Sequence, residues 1–190
     1  MRLERRESNG HRDGGAVAVE TAFVSVLLII LLFGIVESSF LFKDWLTVSA
    51  ATRAGARMGS SQPRALNFAQ DSADQVTNAI AGLNPANLNA VAVWVYKTTD
   101  ATGLPDSGSF ASCTACVKFT WDATTKSLKQ SSGTWPATSQ NACPGDASRD
   151  ALGVYVSYKH SGFGFFFKDA IVSKSTAMWI EPSFAMICKP

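Results

Sequence analysis

Gly14-Gly15-Ala16-Val17-Ala18-Val19-Glu20-Thr21-Ala22 opens an apolar run that continues without a proline to Val36. A charged leader, residues 1–15, stops at the glycine pair, and a near-uniform hydrophobic stretch begins at the next residue. From Ala16 to Val36 the only charge is Glu20. A helix rises about 1.5 Å per residue, so this stretch covers roughly 31 Å, the thickness of a bilayer's hydrocarbon core. It predicts a membrane-spanning helix over 16–36. A cleaved secretory signal fits less well. Its apolar core is about 7–15 residues and ends at a small-residue site. Here the run is longer, and the nearest such site, Val48-Ser49-Ala50, lies far downstream.

Glu20 is the residue that needs a reason. An ionised carboxylate inside a bilayer costs roughly 2.5 kcal/mol or more, and such groups mark function by default. If Gly15 is the membrane boundary, the side chain reaches the interface and is merely solvated there. The other reading pairs it with a cation. Were the chain cut after Gly15, the new α-amino group of Ala16 would be one. In an assembly of parallel helices, Glu20 of one subunit would then meet Ala16 of its neighbour and fix their axial stagger.

Outward from this stretch the helix continues. Leu41, Trp45, Val48, Thr52, Gly55 and Gly59 recur at spacings of four and three, which predicts an apolar or small face and a helix over 16–59. The small residues between Ser49 and Gly59 allow close approach of another helix or a sheet. Packing of this half on its own domain accounts for them as well as a partner does. A second helix is predicted from the row Leu66, Ala69, Ala73, Val76, Ile80 and Leu83, opened by Pro63 and closed by Gly82 and Asn84-Pro85. Beyond Pro85 the period becomes two. Strands are predicted at 91–96, 116–121, 152–160 and 170–180, with 98–112 and 129–150 as loops. The expected architecture is α+β: a long N-terminal membrane-spanning helix, a second helix, and a roughly four-stranded antiparallel sheet, with residues 60–190 forming an extracytoplasmic domain.

Composition bounds the function. Charged residues make up 17% of the 190 and the formal net charge is +2. The leader holds four Arg against three acidic residues, so without it the chain falls from +2 to +1. Lys and Arg form no dense stripe, which excludes a nucleic-acid surface. Four Arg before the span against Lys43, Arg53 and Arg57 after it give a slight positive-inside bias, N-terminus in the cytoplasm. The cysteines, Cys113, Cys116, Cys143 and Cys188, all follow the span. Even in number, they suggest disulfides in an exported domain. A zinc site would lack the second C-x2-C knuckle of common structural sites. No metal or other cofactor is expected.

Candidate chemistry is thin. Cys113-x-x-Cys116 leads into a strand rather than a helix N-terminus, so bridging to Cys143 or Cys188 is expected over a redox dithiol. His160 closes a strand before Ser161-Gly162 and reads as a turn residue. Phe163, Phe165, Phe166 and Phe167 form an aromatic cluster, read as domain core or as a surface meeting membrane or partner. There is no nucleophile elbow, phosphate loop or zinc-protease motif. Nothing points to catalysis.

Gly15-Ala16-Val17-Ala18-Val19-Glu20 resembles the type IV prepilin processing site, a glycine followed by a glutamate at the fifth mature position. The wider pattern adds Phe33-Gly34-Ile35-Val36-Glu37, Ala50-Ala51-Thr52-Arg53-Ala54-Gly55-Ala56-Arg57 and Met178-Trp179-Ile180-Glu181-Pro182. It resembles the TadE-like minor pseudopilins of the tight-adherence (Flp) pilus system. Thr21 stands where those proteins usually carry an aromatic residue. The resemblance implies a pilin-like fold and a structural protein, cut between Gly15 and Ala16 by a prepilin peptidase. It implies Glu20 as an assembly residue, and Flp pilins with another pseudopilin as partners. The protein would sit in the cytoplasmic membrane with its domain outside, or enter a surface pilus. Two alternatives stand beside it: an uncleaved, signal-anchored binding domain, and a membrane-tethered thiol oxidoreductase using Cys113 and Cys116.

Overall fold

The computed structural model describes residues 13–99, 103–146, 148–162, 164 and 169–182. Its spine is helix α1, Asp13–Ser60, 48 residues without a break. At about 1.5 Å per residue it is some 72 Å long. It runs unbroken because no proline occurs between its ends, and it stops where Ser60 and Ser61 turn their hydroxyls back onto the carbonyls of Arg57 and Met58. The helix starts three residues before Ala16, so the glycine pair lies inside its first turn.

Helix α2, Phe68–Ala79, returns along the second half of α1. It is shorter than the periodicity predicts. Leu66 precedes it and is 87% exposed, and the end of the predicted row, Ile80–Gly82, is a 3-10 turn. A further 3-10 helix, Pro85–Ala90, leads into the sheet; Asn84 caps it by accepting the Ala86 N–H at 3.1 Å.

The sheet has strands β1 (Ala92–Thr98), β2 (Cys116–Asp122), β3 (Ser127–Thr134), β4 (Ala151–His160) and β5 (Ala170–Trp179). The order is β3-β2-β1-β4-β5, and every pairing is antiparallel. Among the described residues there are five strands rather than four. The additional one, β3, follows the turn at Asp122 and lies in part of the stretch read as loop. It buries only Leu128 deeply, so it carries no alternating apolar signal.

Alternation sorts the sheet into two faces. Val93 and Val95, Phe119, and the β4 row Leu152, Val154, Val156 and Tyr158 face the helices and are buried. They pack on Val48 and Ala51 of α1 and on Ala73 and Val76 of α2. On the opposite face Trp94, Tyr96 and Tyr155 surround Phe110, which reaches in from the 103–115 segment at ring distances of 5.2, 5.1 and 4.6 Å. Tyr96 donates its hydroxyl hydrogen bond to the Gly103 carbonyl, holding that segment down. Its ring lies where any side chain at Gly153 would stand.

Two glycines set the spacing between α1 and everything it packs on. A Cβ on Gly55 would fall 2.7 Å from Val76 Cγ2 and 3.1 Å from the Ser72 carbonyl oxygen; one on Gly59 would fall 2.7 Å from Leu152 Cδ1. The small residues of this half therefore serve contact with the protein's own helix and sheet.

Candidate functional site on the anchor helix and its junction with the sheet

The two halves of α1 live in different surroundings. From Val17 to Leu46 its large apolar side chains other than Leu41 are exposed, Phe23 at 72% and Leu27 at 68%. This is the one helix among the described residues long and apolar enough to cross a membrane. Monomeric soluble proteins rarely expose contiguous apolar surface on this scale. Three hydroxyls in and just beyond the apolar stretch are satisfied by the helix itself: Thr21 donates to the Val17 carbonyl at 2.8 Å, Ser25 to Ala22 at 2.9 Å and Ser39 to Ile35 at 2.7 Å. Such internal bonding is what a lipid environment demands of polar groups.

Glu20 is exposed, and its carboxylate has no hydrogen bond or ion pair with any of the described residues. Gly15 and Ala16 lie on the same helix one turn away, and nothing stands within 4 Å of where a Gly15 side chain would be. Glycine is about 1 kcal/mol worse than alanine in a helix. Gly14 and Gly15 together make the first turn cheap to unwind at the Gly15–Ala16 bond.

The second half of α1 presents the row Glu37, Leu41, Asp44, Val48, Thr52, Gly55 and Gly59 to the sheet. Asp44 takes the inward place and Trp45 is 39% exposed, which corrects the apolar face read from the sequence. Asp44 is inward because it has a partner. Its Oδ2 lies 2.7 Å from Nδ1 of His160, the last residue of β4, and both side chains are buried. His160 is therefore not a turn residue. It continues the inward row of β4 and ties the anchor helix to the sheet. His160 Nε2 has no hydrogen-bond partner. Beside it Lys43 Nζ donates to the Gly82 carbonyl at 2.8 Å and lies 3.9 Å from Asp44 Oδ1. A cavity of about 530 Å³ opens here, walled by Glu37, Lys43, Asp44, Tyr158 and His160. Burial holds the Tyr158 hydroxyl above its ordinary pKa, and the Asp44 charge adds to this against Asn87 and Asn84.

Sequence reasoning missed the Asp44–His160 pair. A signal existed, since Asp44 falls on the three-four row of α1 and His160 on the alternating row of β4, but 116 residues separate them.

The cysteines are placed differently from expectation. Cys113 and Cys116 are bonded to each other, with Cα atoms 5.9 Å apart, rather than to distant cysteines. The turn between them brings the two within disulfide reach. Cys143 is also disulfide-bonded. Cys188 lies outside the described residues, as do Phe163, Phe165, Phe166, Phe167 and most of the leader. Cys116 opens a strand and is 1% exposed. Among the described residues no group of three or more His, Cys, Asp or Glu is arranged to hold a metal ion.

These features define an α+β protein whose long apolar helix, a membrane-span candidate, continues into the domain as its packing spine. Residues 15–57 match the family model described as TadE-like protein. The matched stretch starts at the glycine before Ala16, takes in Glu20, Glu37 and Asp44, and ends beside the Gly55 contact. The sheet lies outside the match. No curated protein and no solved structure matches the chain.

Proposed function

We propose that the protein is a minor pseudopilin of a tight-adherence pilus and has a structural rather than an enzymatic role. It enters the cytoplasmic membrane with its N-terminus inside and its sheet domain outside. A prepilin peptidase cuts it between Gly15 and Ala16. The mature subunit then joins or primes a fibre with Flp pilins and another pseudopilin. The observation that carries this reading is the exposed apolar half of α1 with one unpartnered carboxylate, Glu20, five residues beyond Gly15. In hydrocarbon such a charge persists when a cation meets it. The α-amino group released at Ala16 of a neighbouring subunit is that cation.

The test is the intact mass of the chain isolated from cells with and without the peptidase. The expected mature protein begins at Ala16 and appears only with the peptidase. Glu20→Ala is expected to remain in the membrane and to disappear from sheared pili. A chain that keeps residues 1–15 in peptidase-competent cells would instead be an uncleaved anchored protein, and the proposal would fail.

A further inference from the structure

The exposed apolar surface of α1 is longer than the core of a bilayer. From Val17 to Leu46 it runs for about 44 Å at about 1.5 Å per residue, against about 30 Å of hydrocarbon. With its headgroups a bilayer is about 40–45 Å thick, so a layer of about 5–8 Å lies on each side of the core. Where the hydrocarbon ends at Val36, Phe40 stands about 6 Å and Phe42 about 9 Å farther along the axis, at the depth of that layer. Both are exposed, at 46% and 60%.

The domain joins α1 at this same level. Ala170 and Ile171, which open β5, wall one groove with Ser38, Leu41 and Phe42. Ile171 is 75% exposed. A lone exposed apolar side chain is ordinary on a protein surface. Ile171 is not alone: it shares the groove with Phe42 and extends the apolar surface of the helix onto the sheet.

One to two turns beyond, polar groups close this surface off. Phe42 stacks on Trp45 at 5.9 Å, and Lys174 Nζ sits 4.5 Å over the Trp45 ring. Aromatic rings, and lysines whose stems lie along apolar surface with the ammonium in water, are the side chains that settle at a membrane–water interface. The charges agree. Between Glu37 and Leu46 of α1 and at the adjoining ends of β4 and β5, Lys43 and Lys159 have side chains 54% and 49% exposed, and Lys174 is half-buried. Glu37 and Asp44 are buried, which leaves Asp169 as the exposed carboxylate among the described residues there. An excess of ammonium groups just outside an apolar rim suits a layer of lipid phosphates.

We propose that the anchor-side end of the domain is itself a lipid contact: Ile171 of β5, with Phe40 and Phe42 of α1, lies in the phospholipid headgroup layer, and the sheet rests on the membrane surface with no stalk between them. This contact rests on the span of the proposed function and does not depend on whether the chain is cut at Gly15.

Photocrosslinking tests it on the full-length chain in membranes of the producing cells. Benzoylphenylalanine replaces, one at a time, Ile171, Phe42, Ile30 in the span, and Leu66, which is 87% exposed beyond the far end of α1. After irradiation the chain is weighed intact, and a phospholipid adduct is read as added mass. Ile171 and Phe42 are expected to give at least ten times the adduct of Leu66, and Ile30 to give it as well. Phe42 carries the test if the Ile171 variant does not fold. Adducts at Ile30, with Ile171 and Phe42 no higher than Leu66, would overturn this contact and leave the span standing. No adduct at Ile30 would overturn both. A polypeptide adduct from Ile171 or Phe42 in place of phospholipid would assign the surface to a protein partner and overturn the proposal too.

Discussion

The contact between Asp44 and His160 is open to a direct energetic test. Both side chains are buried, at 6% and 3% exposure for the residues, and they meet at 2.7 Å. Asp44→Leu strands the histidine: Nδ1 joins Nε2, already without a partner, and leaving a buried polar group unsatisfied costs about 2 kcal/mol. His160→Phe strands the carboxylate. Removing one member of a buried pair costs about 3 kcal/mol, the low end of the usual range, because Lys43 Nζ lies 3.9 Å from Asp44 Oδ1 and softens the loss. The double variant replaces the pair by apolar groups and is expected to cost only about 1 kcal/mol. The two changes are thus expected to couple by about 4 kcal/mol, far outside the roughly 0.5 kcal/mol within which independent sites add. The assay is urea unfolding of the full chain in detergent micelles, followed by tryptophan fluorescence, for wild type, both single variants and the double. Additivity would refute the reasoning and would mean that helix and sheet are held together by the glycine contacts and the apolar core alone.

Other expectations follow from the same packing. Gly59→Ala puts a methyl group 2.7 Å from Leu152 Cδ1 and is expected to lower stability by about 2 kcal/mol, whereas Gly82→Ala, with open space around it, is expected to fall within about 0.5 kcal/mol in the same unfolding series. Lys97→Met leaves Asp150, 1% exposed and 2.9 Å from the ammonium, without its cation; about 3 kcal/mol is expected to be lost in chemical denaturation. Burial pushes the Tyr96 phenol up to about 12, against a hydrogen bond from Ser175 that lowers it. Its folded pKa lies above the unfolded value of 10.0, so its contribution is intact below pH 10 and is lost as pH rises toward 12. An alkaline transition read by tyrosinate absorbance and circular dichroism is expected in that window, and to weaken in Tyr96→Phe.

What the sequence disclosed follows the range over which each feature is determined. The anchor is local: its run of apolar residues predicts its structure without reference to anything else. Four strands were legible because Val91-Val93-Val95 and Val154-Val156-Tyr158 alternate toward a core. Strand β3 was not, since Ser127 to Thr134 exposes most of its side chains and is a strand only because β2 and α2 complete its hydrogen bonds. The face of the second half of α1 differs from its apolar pattern at one position, because Trp45 is more apolar than Asp44. What turns Asp44 inward is a histidine 116 residues away. The disulfide at Cys113 and Cys116 was misjudged for the opposite reason: a local bond was passed over for distant ones.

Placement of the polar residues along α1 explains why the anchor and the domain share one helix. Before Val36 the only charge facing outward from the apolar stretch is Glu20. From Glu37 onward the sheet-facing row carries Glu37, Asp44, Thr52 and Ser60, all buried against the domain. Sliding the domain one turn toward the N-terminus would oppose His160 with Phe40 instead of Asp44, and would set Val76 against Ala51 or Thr52 in place of Gly55, where a side chain has no room. The junction is therefore fixed in register from both ends, by a polar pair near the apolar stretch and by glycines at the far end. A domain held this way has no hinge between itself and its anchor. Any axial displacement of the exposed half of α1, such as pairing at Glu20 would impose, is passed to the sheet as a rigid-body movement.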